Sequence, residues 1–493
     1  MRAEEATQES DRQVPHLPPQ ATELRPEPPR GTPGGLLRIP SPSRGTYAGV
    51  YENVFWPLWQ RIVNRRATFQ HLPYLEASQW RTPEEIEAAQ TGALRRLLKH
   101  AADDIPYYRE LFAKHDFDPR GVRSRADLAA LPLLTREIIR ERYKDLVSPA
   151  HRGENHRKGT SGSTGVPLKF EYCNDSESWR QAVRIRGYRW AGYRVGMPTF
   201  FYWPDAVKQH GWRLAKISLD RSIRRETYVD PLHQDDATLA RAVETLRATR
   251  PHTIVSYTQA LVFLARFINE RGMRDWEDIS VICGAEAVLP GDRDVLSKAF
   301  GPGIFETYGS RETMLIAAEC CAHDGLHVSE ENLLVEIVGP RGALPAGESG
   351  DVVITDLHNY GMPMIRYANG DVSVMSRDRI CSCGRGLRKL AKVEGRRSDT
   401  LRDKSGAPIP GMLFQALFAT KDEFARQFQV VQRATGEVNL KLVKGADFTD
   451  AAFAPIVVRM REYLKGLPLA VEYVDHIPPS ATGKYRMIIA EKA

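Results

Sequence analysis

Gly159-Thr160-Ser161-Gly162-Ser163-Thr164-Gly165 interleaves glycines with hydroxyl side chains. Glycine admits backbone turns that other residues resist, so successive N–H groups and Ser or Thr hydroxyls can converge on one anion. The segment reads as a phosphate clamp, although a Gly/Ser/Thr run by itself also describes a flexible loop. Three downstream segments of fixed order add weight to the first reading. They are Thr307-Tyr308-Gly309-Ser310-Arg311-Glu312-Thr313, Met364-Ile365-Arg366-Tyr367-Ala368-Asn369-Gly370-Asp371 and Pro479-Ser480-Ala481-Thr482-Gly483-Lys484-Tyr485-Arg486. Between the first and second segments apolar strand-like runs at 168–172, 253–257 and 279–283 alternate with helical patterns at 236–249 and 260–269. Such alternation predicts an α/β fold with helices layered on mostly parallel sheets. Ligands of open sheets gather beyond the carboxyl ends of the strands. Gly284-Ala285-Glu286 and Tyr308-Gly309-Ser310 each follow an apolar strand candidate.

A chain of 493 residues exceeds what one core organises, so two or more domains are expected. The 69 basic against 62 acidic residues leave +7, spread along the chain rather than gathered in a patch, which argues against a nucleic-acid partner. No stretch of about 18 apolar residues occurs and the N-terminus lacks the apolar run of a secretory signal, so no membrane partner and a cytoplasmic location are expected. Six cysteines are too few for a disulfide framework. Residues 1–46 hold nine of the 32 prolines, six acidic and six arginine side chains and few large apolar groups, the composition of a disordered tail. The dense aromatics of 51–59 suit core or interface packing. Thr82-Pro83-Glu84-Glu85 is a capping box that opens a helix to about His100. Leu133-Leu134-Thr135-Arg136-Glu137-Ile138 repeats that pattern more weakly. A smaller domain over 395–493 is expected from strands at 438–443 and 470–474 around a helix at 451–464, leaving 47–394 as the large one.

The four ordered segments resemble those of the adenylate-forming enzymes, the superfamily of acyl-CoA synthetases and peptide-synthetase adenylation domains. Ile105-Pro106-Tyr107-Tyr108-Arg109, Gly325-Leu326-His327-Val328 and Cys381-Ser382-Cys383-Gly384-Arg385 are similar to phenylacetate–CoA ligases and their capsular-polysaccharide relatives. The resemblance runs from about Tyr47 to the C-terminus. It implies a large adenylation domain and a small mobile C-terminal lid, and an AMP-producing ligase whose substrates are ATP and a carboxylic acid. CoA is the implied acceptor.

In this family the enzyme holds triphosphate and carboxylate in line and neutralises charge on oxygen. Carried over residue by residue, Thr160, Ser161, Gly162, Ser163, Thr164 and Gly165 contact pyrophosphate. Gly284, Ala285 and Glu286, with Thr307, Tyr308, Gly309 and Ser310, flank adenine. Glu312 holds Mg²⁺, a hard cation suited to oxygen ligands. Asp371 accepts hydrogen bonds from the ribose hydroxyls. Lys484 is the catalytic lysine, a point charge able to bridge carboxylate and α-phosphate. Gly395-Arg396-Arg397-Ser398-Asp399 resembles the hinge of the lid, with Arg396 beside the nucleotide. Arg311 stands where many relatives have a smaller or apolar residue. After the hinge this chain reads Arg402-Asp403-Lys404-Ser405-Gly406-Ala407-Pro408 where relatives carry an apolar run, which keeps an amine acceptor open beside CoA.

Cys381 and Cys383, with Cys320 or Cys321 and His327, supply four N/S ligands for a structural zinc, as in several relatives; either of the adjacent cysteines serves, and His323 is a weaker substitute for His327. Residues near Tyr202-Trp203-Pro204, Tyr257-Thr258-Gln259-Ala260 and Thr307 are expected to line the acyl pocket. The acid, and whether the chain forms a homodimer, are open at this level, as is a non-catalytic descendant of the fold.

Overall fold

The structure is a computed structural model that describes residues 46–64, 66–159, 168–203, 212–231, 235–396, 401–406, 408–409, 414, 417–418, 424–446, 448–479 and 485–491. The tail at 1–45, the clamp residues Thr160–Gly165, Pro204, the hinge residues Arg397, Ser398 and Asp399, and Lys484 lie outside them. In the aromatic segment Tyr51 and Trp56 are buried, whereas Val54, Phe55 and Leu58 face outward. Thr82 caps helix α1 (Pro83–Asp104): its hydroxyl accepts from the Glu85 N–H while the Glu85 carboxylate accepts from the Thr82 N–H. Thr135 caps α2 (Arg136–Glu141) through the Ile138 N–H. An antiparallel pair, β1 (His156–Gly159) and β2 (Lys169–Tyr172), brackets the glycine-rich segment, and α3 (Asn174–Trp190) follows.

Then come β3 (Thr199–Tyr202), β4 (Glu226–Val229), α4 (Asp236–Thr249), β5 (Thr253–Tyr257), α5 (Thr258–Glu270), β6 (Ser280–Gly284), α6 (Pro290–Phe300) and β7 (Ile304–Ser310). These strands pair in parallel in the order β4-β3-β5-β6-β7. Every residue of β5 is buried, because helices cover both faces of the sheet. Successive side chains alternate between the layers. Phe200, Ile254 and Val281 pack against Leu246, Leu261, Leu264 and Phe300 of α4 to α6, whereas Phe201, Val255, Ile282 and Phe305 meet Trp179 and Val183 of α3.

After Ser310 the sheet changes character. Strands β8 (Met314–Glu319), β9 (Leu326–Val328), β10 (Leu333–Gly339), β11 (Gly342–Ala343), β12 (Ser349–Asp356), β13 (Tyr367–Met375) and β14 (Lys389–Arg396) continue it antiparallel in the order β7-β8-β9-β14-β13-β12-β10-β11. The result is one mixed 12-stranded sheet, parallel from β4 to β7 where helices cross over and antiparallel from β7 to β11.

A smaller unit follows, with the hairpin β15 (Leu401–Arg402) and β16 (Pro408–Ile409), then β17 (Ala425–Gln432), β18 (Val438–Lys444), α7 (Asp450–Leu464), β19 (Leu469–Tyr473) and β20 (Ile488–Ala490). Its 4-stranded sheet, ordered β19-β18-β17-β20, has its own core of Leu401, Phe414, Val430, Leu440, Phe453, Met460 and Ile488. Among the described residues no helix is long and apolar enough to cross a membrane.

Candidate active site

The end of β7 organises the site, each residue reaching a different part of the chain. Thr307 donates to the Cys283 carbonyl at 2.7 Å, at the tip of β6. Tyr308 donates its phenol to Asp371 Oδ2 on β13 at 2.7 Å. Asn369 supports both, its amide reaching the Tyr308 oxygen at 2.8 Å and Asp371 Oδ2 at 2.9 Å, while its own oxygen accepts from the Asp371 N–H. Burial holds the Tyr308 phenol far above its ordinary pKa, so it stays a donor. Register places Arg396 of β14 opposite Asp371, with Nε 3.6 Å from Oδ1. At Gly309 a Cβ would run into the Met314 carbonyl, so only glycine closes the β7–β8 hairpin.

Beyond the strand, Ser310 caps the turn by accepting from the Thr313 N–H. Arg311 donates to the Gly159 carbonyl at 3.0 Å, which ties this turn to the strand entering the glycine-rich segment. Glu312 is buried; its Oε1 accepts from the Tyr367 hydroxyl at 3.0 Å and from Arg136 at 3.3 Å. Arg136 also donates to Tyr367 Oη and the Asn369 carbonyl. Arg180, buried under the turn, donates to the Arg311 and Glu312 carbonyls. Oε2 of Glu312 carries no hydrogen bond among the described residues. One such carboxylate oxygen suits Mg²⁺, which keeps several waters and takes one or two carboxylates together with phosphates.

At the tip of β6 a Cβ on Gly284 would lie 3.1 Å from Thr307 Oγ1 and 3.6 Å from the Trp203 ring. Trp203 and Tyr257 meet edge to face at 4.2 Å. Trp203, Tyr257, Gly284 and Thr307 therefore lie side by side at the ends of β3, β5, β6 and β7. Tyr202 does not: it faces the opposite layer among Phe200, Leu239 and Ile254, because neighbours on a strand point to opposite faces. Thr258 is buried and donates to the Gly284 and Glu286 carbonyls, and Gln259 donates to Asp292, so these two are structural. Glu286, expected beside adenine, accepts the Gln259 N–H on one oxygen and the Tyr485 N–H on the other.

Sequence reasoning missed Arg136, Arg180 and the bridging role of Asn369. Asn369 sits two residues before Asp371 in a quoted motif and was within reach. Arg136 and Arg180 reach the site over more than a hundred positions, with no local pattern to mark them.

The thiol cluster lies behind the same sheet. Ligand atoms of Cys320, His327, Cys381 and Cys383 all fall within 4.8 Å of one another. Cys320 Sγ and Cys381 Sγ are 3.8 Å apart, and Cys383 Sγ lies 3.4 Å from His327 Nε2. Around a tetrahedral zinc, Zn–S and Zn–N bonds of about 2.3 and 2.0 Å set neighbouring ligands about 3.8 and 3.5 Å apart, so this donor set fits the ion. His327 Nδ1 faces the Leu387 carbonyl at 3.1 Å, which fixes the tautomer that leaves Nε2 for a metal. Of the two adjacent candidates, Cys320 falls within the cluster and Cys321 does not. His323 faces Glu319 instead.

Residues 401–491 match the family described as the CapK C-terminal domain. The phenylacetate-coenzyme A ligase of Thermus thermophilus is 27% identical over 367 residues, 72% of this chain and 80% of that one. Protein CapK of Staphylococcus aureus is 20% identical over 458 residues, 89% of this chain and 97% of that one. Among solved structures, 2-hydroxyisobutyryl-CoA ligase in its postadenylation state superposes with a TM-score of 0.68 at 20% identity, covering 84% of this chain and 91% of the other. In its thioesterification state the same enzyme, at 21% identity, gives 0.55 over 83% and 90%. The chain is therefore similar in sequence to phenylacetate-coenzyme A ligases and to protein CapK, and its fold is that of 2-hydroxyisobutyryl-CoA ligase.

Proposed function

We propose that this protein activates a carboxylic acid with ATP, giving an acyl adenylate and pyrophosphate, and transfers the acyl group to the thiol of CoA with release of AMP. The observation that carries this reading is the single strand end, Thr307 to Glu312, which gathers Asp371, Arg396, Gly159 and Arg136 around one place. Asp371 accepts from the ribose hydroxyls, on a carboxylate held still by Tyr308 and Asn369. Tyr308 lies along adenine. The hydroxyls and amides of Thr160 to Gly165 take the leaving pyrophosphate. Mg²⁺ at Glu312 supplies charge neutralisation on the phosphates. Lys484 contributes the cation that draws carboxylate and α-phosphate together, carried by a lid that begins near residue 395. Trp203 and Tyr257 form the acyl wall. Cys320, His327, Cys381 and Cys383 hold a structural zinc that fastens β8, β9 and the approach to β14. The cytoplasm, which supplies ATP and CoA and keeps thiols such as the six free cysteines reduced, is its place.

The test is ATP–pyrophosphate exchange with pooled aryl, fatty and sugar acids, followed by product analysis with CoA against amines. Exchange is expected with one pool, and Lys484→Ala is expected to lose it by about two orders of magnitude or more while the fold survives. Wild-type exchange in that variant would overturn the assignment of Lys484. An amide in place of a thioester would move the acceptor from a thiol to an amine.

A further inference from the structure

We infer that Glu286 is a positioning residue that latches the small domain onto the large one, rather than a nucleotide contact. This deepens the function proposed above and rests on it. At the end of β6, Ala285 adopts φ 69°, a left-handed conformation that costs an alanine energy and that surrounding contacts must enforce. The turn swings Glu286 across the strand end. Its carbonyl accepts from Thr258 Oγ1 at 2.8 Å, and its Oε2 accepts the Gln259 N–H at 3.0 Å. That N–H belongs to the first turn of α5, where unpaired amides favour a carboxylate.

The other oxygen crosses between domains. Glu286 Oε1 accepts the backbone N–H of Tyr485 at 2.9 Å. Tyr485 is itself fastened to the small domain, its hydroxyl donating to the Phe428 carbonyl at 2.6 Å, while the next residue's carbonyl accepts from Gln429 at 2.8 Å. A second tie runs alongside, from the Arg266 guanidinium of α5 to the Arg426 carbonyl of β17 at 3.0 Å. One carboxylate therefore joins the N-terminus of α5 to the residue directly after Lys484. Rotation of the small domain would break this bond. Glu286 thus favours the arrangement in which adenylation occurs and opposes the rotation, so its removal should not slow the second half-reaction.

Hydrogen exchange read by mass spectrometry on the full chain reports the latch directly, because the bonded group is an amide. In Glu286→Ala the peptide containing Tyr485 is expected to exchange about 10-fold faster or more, and turnover in ATP–pyrophosphate exchange to fall by a similar factor. Equilibrium ATP binding is expected to stay within about 2-fold, and transfer from supplied acyl adenylate to CoA is expected not to fall. Glu286→Gln keeps one acceptor oxygen for two N–H groups and should fall between. Unchanged exchange at Tyr485 would overturn the latch, as would weakened ATP binding with turnover preserved, which would make Glu286 a nucleotide ligand. If the wild type turns over no acid, the proposed function fails, and the amide exchange still decides the latch.

Discussion

At the residue scale the site depends on charges kept apart from water and matched. Glu312 is 3% and Arg136 19% exposed, and the guanidinium reaches Glu312, Tyr367 and the Asn369 carbonyl together. Removing one member of such a pair leaves the other charge buried without compensation, at a cost of about 3 kcal/mol. Arg136→Gln is therefore expected to lower stability by about 2–3 kcal/mol in urea unfolding and to raise the KM for MgATP, because the carboxylate that should face the metal loses its anchor. Adding Glu312→Gln should recover most of the stability and none of the activity. A single variant as stable as the wild type would mean that the pair is solvated and that Arg136 does not hold Glu312. Legibility divides along the same line. Asp371, Tyr308 and Glu312 stand inside contiguous motifs, and a sequence shows contiguity. Arg136 works through a contact to a residue 176 positions away, which only the folded sheet creates.

At the element scale, local pattern translated well. The helix at 236–249 and the strand at 253–257 occupy the positions their periodicity indicates, because each buries one face or both in a layered core. The antiparallel half of the sheet was not legible, since apolar alternation fixes that a segment is a strand and leaves its partner and direction open. The metal cluster shows a similar limit: spacing offered Cys320 and Cys321 equally, and the folded chain places Cys320 in the cluster. Because the cluster joins the ends of β8 and β9 to the loop before β14, a bound zinc would cross-link three elements of one sheet. We expect one zinc per chain by elemental analysis. Cys383→Ser should lose the zinc and lower Tm by several degrees, whereas Cys321→Ser should keep both. Loss of the metal in Cys321→Ser alone would reverse the choice between the two thiols.

At the scale of the whole molecule, burial of acids makes stability depend on pH in the opposite sense to a salt-bridged surface. Burial, reinforced by Glu319, raises the Glu306 carboxyl to about 7, and burial raises Asp356 to about 6 against the pull of Arg180. Each keeps its proton in the folded protein over a range where the unfolded chain, with ordinary values near 4, has released it. The folded state then binds more protons than the unfolded one, so stability falls as pH rises from about 4.5 to 7 and levels off above. Each group is expected to cost about 1–2 kcal/mol between pH 5 and pH 8. Glu306→Gln removes one of the two, and its urea midpoint should change less between those pH values than that of the wild type, with the gain appearing at pH 8. Equal pH slopes for variant and wild type would show that Glu306 ionises freely in the fold. The strand that carries Glu306 also carries Thr307 and Tyr308, so the pairing of β7 between β6 and β8 that positions the candidate site also takes the carboxyl out of water.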